Sequence, residues 1–90
     1  MFTRKITGQF KKDFKKIKNN NVLVADFEKV VEMLASGEKL PARYNDHKLK
    51  WDHKDLRECH IRPDLLLVYR IDDNELLLLL LRLWSHSEIF

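Results

Sequence analysis

The sequence predicts an α+β domain in which an N-terminal strand and a two-helix hairpin pack on an antiparallel β-sheet. Two observations support this prediction. Apolar residues recur at helical spacing between residues 10 and 34, and three strand-like segments separated by turn residues follow from residue 56 onward. Ninety residues can build one compact hydrophobic core, so we expect a single domain over residues 1–90.

The first third of the chain predicts a short strand followed by two helices. The strand covers residues 2–6, and a glycine breaks the pattern after it. Phe10, Phe14 and Ile17 then recur at i, i+4 and i+7, which places them on one face of the first helix. Asparagines at 19–21 end that helix. The second helix carries its apolar stripe at Leu23, Phe27, Val30, Val31 and Leu34.

The last third of the chain predicts an antiparallel meander with strands over residues 56–62, 65–71 and 75–84. Because side chains alternate along a strand, Glu58, His60 and Arg62 share one face of the first of these strands. Leucines fill positions 76–81 and make both faces of the last strand apolar. This pattern predicts that helices cover one face and a partner chain covers the other.

Composition and charge indicate an ordinary globular protein with a basic surface. Hydrophobic residues make up 44% of the chain, charged residues 34%, and the net charge is +3. The single cysteine, Cys59, cannot form an internal disulfide, and the N-terminus lacks a signal peptide, so we expect a cytoplasmic protein. The leucine run is too short to cross a membrane. The excess positive charge lies on the first helix, at Lys11, Lys12, Lys15, Lys16 and Lys18. Such a face is often simply solvated, and it would also attract a phosphate-rich partner.

Three histidines are the candidate catalytic residues: His47, His60 and His86. Imidazole titrates near neutral pH, so one ring can accept a proton while another donates one. Cleavage of RNA by its own 2′-hydroxyl needs such a pair, and it also needs cations, which Arg57, Arg62 and Arg82 can supply. His47 lies within residues 40–55, the longest stretch without a regular pattern, which we expect to be irregular and to form part of the site.

Several short motifs follow the predicted helix hairpin in a characteristic order. They are Asp46-His47-x-Leu49, then Arg57-x-x-His60-Ile61-x-Pro63-Asp64-Leu65-Leu66-Leu67-Val68-Tyr69, and finally Ser85-His86-Ser87-Glu88-Ile89-Phe90. In this order the chain resembles the YafQ-like branch of the RelE/ParE toxins over nearly its whole length. The loop departs from the family pattern, because Trp51 stands where relatives commonly have glycine and His53 where they commonly have tryptophan.

The resemblance implies the toxin of a bacterial type II toxin–antitoxin pair with a RelE-like microbial RNase fold. It implies a ribosome-dependent endoribonuclease that cleaves mRNA in the ribosomal A site without a metal or another cofactor. We therefore expect three kinds of partner: the ribosome, mRNA and a cognate acidic antitoxin that binds the apolar and basic surfaces in a heteromeric complex.

Carried over residue by residue, the family's catalytic positions fall on His47, His60, Asp64 and His86. Its terminal aromatic residue falls on Phe90, and the acidic position before the central histidine falls on Glu58. The sequence does not assign the acid and the base among the catalytic groups.

Further residues are candidates for substrate binding on chemical grounds. Arg82 or Lys50 can stabilise charge that builds up on phosphorus. Trp51 and Phe90 can stack on an unstacked base, although Phe90 can equally well pack the C-terminus onto the domain.

Three alternative functions compete with this interpretation. A zinc site using Cys59 is disfavoured because no closely spaced ligand pairs occur. A gyrase-directed or otherwise non-catalytic ParE-like inhibitory module would have no need of several titratable histidines. A ribonuclease that acts on free RNA would be recognised by its ability to cut naked RNA.

Overall fold

A computed structural model describes residues 1–49 and 55–85. Two helices pack on one face of a five-stranded sheet, which confirms the predicted α+β class. No helix of the described residues is long and apolar enough to cross a lipid bilayer. The elements are β1 (Thr3–Ile6), α1 (Gly8–Phe14), α2 (Asn21–Ala35), a 3-10 turn (Ala42–Tyr44), β2 (His47–Lys48), β3 (Arg57–Arg62), β4 (Leu65–Asp72) and β5 (Leu77–Ser85).

Both helices begin at side-chain caps. The Thr7 hydroxyl accepts a hydrogen bond from the N–H of Phe10 at 3.0 Å, and the Asn20 side chain accepts from two N–H groups in the first turn of α2. Each cap contributes about 1 kcal/mol. α1 is shorter than the sequence predicts, because the regular helix ends at Phe14 and hydrogen-bonded turns continue over residues 15–19. Ile17 is nevertheless buried. The apolar spacing therefore marks the buried face correctly but overestimates the length of the helix.

The five strands lie in the order β1-β5-β4-β3-β2. β3, β4 and β5 form the predicted antiparallel meander. β1 joins this meander as an edge strand that runs parallel to β5, with Thr3 opposite Leu77 and Ile6 opposite Leu80, so the complete sheet is mixed. The strand predicted over residues 2–6 is present as β1, but the sequence carries no information about the direction of β1 relative to a strand far along the chain.

Residues 42–48 are ordered, so the prediction of an irregular stretch over residues 40–55 is wrong for this part. The 3-10 turn inserts Tyr44 into the core, where it is 7% exposed. Immediately afterwards His47 and Lys48 pair with β3 as the edge strand β2. A two-residue strand is too short to show the alternation by which strands are recognised in a sequence.

The hydrophobic core lies between the helices and one face of the sheet. Phe10, Phe14 and Phe27 form an aromatic cluster with ring centroids 5.3 to 6.1 Å apart. β4 contributes every second side chain to this core, and in β3 Cys59 and Ile61 do so as predicted. The prediction that Arg62 shares a face with Glu58 and His60 is wrong, because a register shift after His60 places Arg62 opposite Leu65 and it bonds to Asp26 of α2. The strand residues of the core are Cys59, Ile61, Leu65, Leu67, Tyr69, Leu78, Leu80 and Leu83.

The opposite face of the sheet lacks a helical cover in the described structure. Leu66 and Val68 are buried there, between polar neighbours on the adjacent strands. We call this face the site face; its residues around the two described histidines are His47, Glu58, His60, Leu66, Val68, Arg82 and Trp84. As predicted, β5 lies inside the sheet, between β1 and β4.

A β-bulge in β5 determines which side chains reach the site face. Residues 69 and 68 of β4 are opposite Leu80 and Arg82, so Leu81 is the extra residue. Leu80 and Leu83 are three positions apart, yet both lie in the core. The bulge therefore places Arg82 on the site face.

Candidate active site on the open face of the sheet

Two rows of side chains cross the site face from strand to strand. The first row contains His47, Glu58, Val68 and Arg82, and the second contains His60, Leu66 and Trp84. Residues directly opposite each other on neighbouring strands share a face, and each strand step is about 4.8 Å. His47 and His60 therefore lie at one end, and Arg82 at the other end, of a surface about 10 to 15 Å wide.

His47 is oriented by contacts at both ring nitrogens. Nδ1 lies 2.7 Å from the carbonyl oxygen of Asn45, and Nε2 lies 3.4 Å from Glu58 Oε1. A carbonyl oxygen can only accept, so Nδ1 carries a proton in this arrangement. Asn45 has a φ of +46°, a left-handed conformation that asparagine tolerates, and this turn directs its carbonyl toward the ring. Nε2 is therefore the nitrogen that can exchange a proton.

His60 lies close to His47 on the same face. The two ring centroids are 6.4 Å apart with an angle of 37° between the planes. Glu58 and His60 are two residues apart on β3, so both side chains project from the site face. This brings two imidazoles and one carboxylate together, at a spacing that would let both rings contact a single phosphodiester group.

Arg82 is held in place by a buried carboxylate. Its Nε lies 2.8 Å from Asp13 Oδ2, and its Cζ lies 5.3 Å from the centre of the Trp84 ring. Asp13 is only 6% exposed and also accepts a hydrogen bond from the N–H of Leu83 at 3.0 Å. Burial raises the pKa of Asp13, but the bonds from Arg82, Leu83 and Gln9 outweigh burial, so the pKa lies below its ordinary value. Asp13 therefore remains charged and fixes the guanidinium.

A second, partly buried carboxylate fixes the segment that carries His47. Asp46 accepts two hydrogen bonds from Arg57, each 3.2 Å long, and one from the hydroxyl of Tyr69 at 2.5 Å. The hydrogen bonds to Asp46 raise the pKa of Arg57, while burial and the same carboxylate raise the pKa of Tyr69. Arg57 was expected to supply a cation to the site. The structure instead commits it to Asp46 on the core side of β3, so that expectation is wrong.

Comparison with known proteins places this arrangement in a family. A family model described as the bacterial toxin of type II toxin–antitoxin systems, YafQ, matches residues 2–90. The chain belongs to the YafQ family. One curated relative, the mRNA interferase toxin YafQ of Escherichia coli strain B/BL21-DE3, is 32% identical over 85 residues, which cover 93% of this chain and 90% of the relative.

Solved structures of YafQ and related toxins share the fold. A metal-bound toxin from Helicobacter pylori is 47% identical, with a TM-score of 0.88 and complete coverage of both chains. The toxin chain of an E. coli DinJ–YafQ complex is 30% identical, with a TM-score of 0.84 over 100% of this chain and 99% of that chain. The predicted RelE-like, YafQ-like architecture is confirmed.

Asp64 stands apart from the histidine pair. It is exposed in the turn between β3 and β4, and within residues 1–49 and 55–85 no hydrogen bond or ion pair joins it to a histidine. The remaining predicted site residues lie outside the described residues: Lys50, Trp51, His86 and Phe90, together with His53. Their roles, like that of Asp64, stay predictions.

The roles of two carboxylates that shape this YafQ-family site escape sequence reasoning, although Asp46 stands in one of the motifs. Asp13 and Asp46 are single carboxylates in helical and loop segments, and only their distant partners reveal their roles. The position of Trp84 can be predicted from the sequence, because residues two apart on a strand share a face and Trp84 follows Arg82 by two.

The described residues contain no group of three or more His, Cys, Asp or Glu side chains that could hold a metal ion. His86 is not among the residues described, so the expectation of a metal-free site stays a prediction. Cys59, the residue considered for zinc, is fully buried on the core face, and burial raises its pKa to about 12.

Proposed function

We propose that this chain is the toxin of a type II toxin–antitoxin pair and acts in the cytoplasm as a metal-independent endoribonuclease that cleaves mRNA in the ribosomal A site. One observation carries the proposal: His47 and His60 lie together beside Glu58 on an exposed sheet face, in a chain of the YafQ family. Curated members of this family are named mRNA interferase toxins.

The reaction needs one group to accept a proton and another to donate one. A base takes the proton of the 2′-hydroxyl, the 2′-oxygen bonds to phosphorus, and the bond from phosphorus to the 5′-oxygen breaks as an acid protonates that oxygen. The products are a 2′,3′-cyclic phosphate and a 5′-hydroxyl. His47 exchanges its proton through Nε2, since Nδ1 is bonded to Asn45. Glu58 Oε1, 3.4 Å from that nitrogen, is placed to accept a hydrogen bond from it. The candidates for the second proton-transfer group are His60, Asp64 and His86.

Arg82 lies at the end of the site face opposite His47 and His60, so it is suited to bind a neighbouring phosphate of the RNA rather than the phosphorus that both rings contact. Its bonds to Asp13 use Nε and Nη2, which leaves the Nη1 hydrogens available for a phosphate oxygen. Because Asp13 and the Trp84 ring already fix the guanidinium, binding costs little reorganisation. Lys50 can add a second cation, and Trp51 and Phe90 can stack on the bases of the codon.

The ribosome is the expected platform for cleavage. A net charge of +3 offers few contacts to free mRNA at physiological salt, so affinity for RNA alone should be low. The five lysines at positions 11–18 are exposed and can contact the phosphates of ribosomal RNA. The ribosome would then present the codon to the histidines in reactive geometry.

The second partner we propose is a cognate acidic antitoxin. Related YafQ toxins have been solved in complexes with DinJ. In this chain the partly exposed leucines of β5 and the basic surface would favour a segment that combines apolar side chains with carboxylates.

The decisive experiment incubates one mRNA with purified protein in the presence and absence of programmed ribosomes. We expect discrete cuts with 2′,3′-cyclic phosphate ends only when ribosomes are present. Equal cutting of naked mRNA would identify a free ribonuclease. Growth arrest without any mRNA cleavage would identify a non-catalytic inhibitory module and refute the proposal.

A further inference from the structure

A basic cleft opens beside the histidine pair, at the end of β3 that extends beyond β2. Its volume is about 600 Å³, within the range of about 300 to 1,000 Å³ typical of sites for small ligands. α2, the 3-10 turn and the last residues of β3 form its walls. His60 and Asn45 line the cleft and also belong to the site, so the cleft adjoins the site.

The charged groups of the cleft favour an anion. Lys29, Arg43 and Arg62 contribute three positive charges, and Asp26 is the carboxylate among the residues that line the cleft. Asp26 is already paired, since it accepts a hydrogen bond from Arg62 Nε at 2.5 Å. Within residues 1–49 and 55–85 no carboxylate pairs with Lys29 or Arg43. Two cations therefore remain available for a ligand.

Arg43 is fixed in a way that suits phosphate binding. Its Nη2 donates to the hydroxyl of Tyr44 at 2.9 Å, and its Cζ lies 4.8 Å from the centre of the same ring. Tyr44 is itself anchored in the core. Arg43 is exposed and still has Nε and Nη1 hydrogens to donate, so it offers an oriented fork of donors.

We propose that this cleft binds the sugar–phosphate backbone of the mRNA strand next to the scissile bond, with Arg43 and Lys29 as phosphate ligands. The inference rests on the proposed ribonuclease function, because His60, which lines the cleft, is one of the proposed catalytic residues. RNA is favoured over an acidic antitoxin segment because the cleft shares His60 with the site, and the antitoxin is an alternative outcome of the test.

The test uses the full chain and a hexanucleotide RNA in which a central 2′-deoxy sugar prevents cleavage. Binding is measured at salt concentrations from about 20 to 200 mM for wild type, Arg43→Ala and Lys29→Ala. Lys5→Ala is the matched control, because Lys5 is an exposed lysine on β1, at the opposite edge of the sheet. We expect each cleft variant to weaken binding about fivefold at low salt and to reduce the slope of log K against log salt by about 0.7, whereas Lys5→Ala retains the slope.

Three results would overturn the cleft proposal: no binding of the hexanucleotide by wild type at low salt, equal behaviour of Arg43→Ala and Lys5→Ala, or Arg43→Ala losing affinity for an acidic antitoxin peptide while retaining affinity for RNA. The outcome is separable from that of the cleavage experiment. A wild-type protein that binds the hexanucleotide through Arg43 but never cuts mRNA would refute the ribonuclease and retain the cleft. If Arg43→Ala cleaves mRNA normally and binds the hexanucleotide as tightly as wild type, the ribonuclease proposal stands and the cleft proposal is refuted.

Discussion

The two faces of the meander carry neighbouring residues of the same strands into opposite environments. Cys59 is fully buried under the helices, and the next residue, His60, lines an open cleft. The core face is apolar and tightly packed, whereas the site face places polar side chains around two buried aliphatic residues, Leu66 and Val68. Strand alternation separates the two faces. We therefore expect substitutions on the site face to reduce cleavage and substitutions on the core face to reduce stability.

The largest effect expected on the site face is that of His60→Ala. Removal of a general acid or base typically slows a reaction 10²- to 10⁴-fold, so ribosome-dependent cleavage should fall by that factor. The thermal midpoint should change little, because His60 is only partly buried. His60→Gln is the matched control that retains hydrogen bonding without titration near neutral pH, and it should be equally inactive. Wild-type cleavage rates in both variants would remove His60 from the reaction.

The corresponding change on the core face is Leu67→Ala. Leu67 is fully buried at the centre of the sheet, and such truncations cost about 2 to 5 kcal/mol of unfolding free energy. Cleavage per folded molecule should persist. Denaturant unfolding of this variant is compared with that of Leu79→Ala, a partly exposed leucine opposite Arg70 on the other side of the sheet. A larger loss in Leu79→Ala would contradict the assignment of the faces.

Asp13→Asn should affect both faces at once. Asp13 bonds the N–H of Leu83 and also fixes Arg82, so its loss should cost about 1 to 3 kcal/mol of stability and reduce cleavage. The pKa of Asp13 is lower in the folded state than its ordinary value of 3.8. The stabilisation is therefore complete above about pH 3.8 and disappears as pH falls through the folded pKa.

This pH dependence distinguishes the charge of Asp13 from its shape. The difference in unfolding free energy between wild type and Asp13→Asn should be constant near neutral pH and should shrink on acidification below pH 3.8. A difference that grows in acid would show that the carboxylate is not stabilised in its charged form.

The smallest effect concerns the thiol of Cys59. Burial raises its pKa to about 12, so the native protein should react with a thiol reagent at pH 8 only through unfolding. Cys59→Ala should retain cleavage. Rapid labelling of the native protein, compared with the urea-unfolded chain, would show that the core face opens locally at β3.

The sequence predicts the meander, the helix hairpin and the face on which His60 lies, since these follow from local periodicity. The parallel direction of β1, the two-residue strand β2 and the reassignment of Arg57 do not follow from it. Each depends on contacts between distant residues, such as the three hydrogen bonds that Asp46 accepts. The proximity of His47 and His60 is of the same kind, because it requires the pairing of β2 with β3.

The bulge at Leu81 changes which residues of β5, odd-numbered or even-numbered, face away from the helices. Before it, the odd-numbered Leu77 and Leu79 face away from the helices, and after it the even-numbered Arg82 and Trp84 do so. Strict alternation continued from Leu78 and Leu80 would therefore assign Arg82 to the core. Deletion of one residue at the bulge should leave a regular strand with every face preserved, whereas deletion of one residue elsewhere in β5 would exchange the faces of part of the strand.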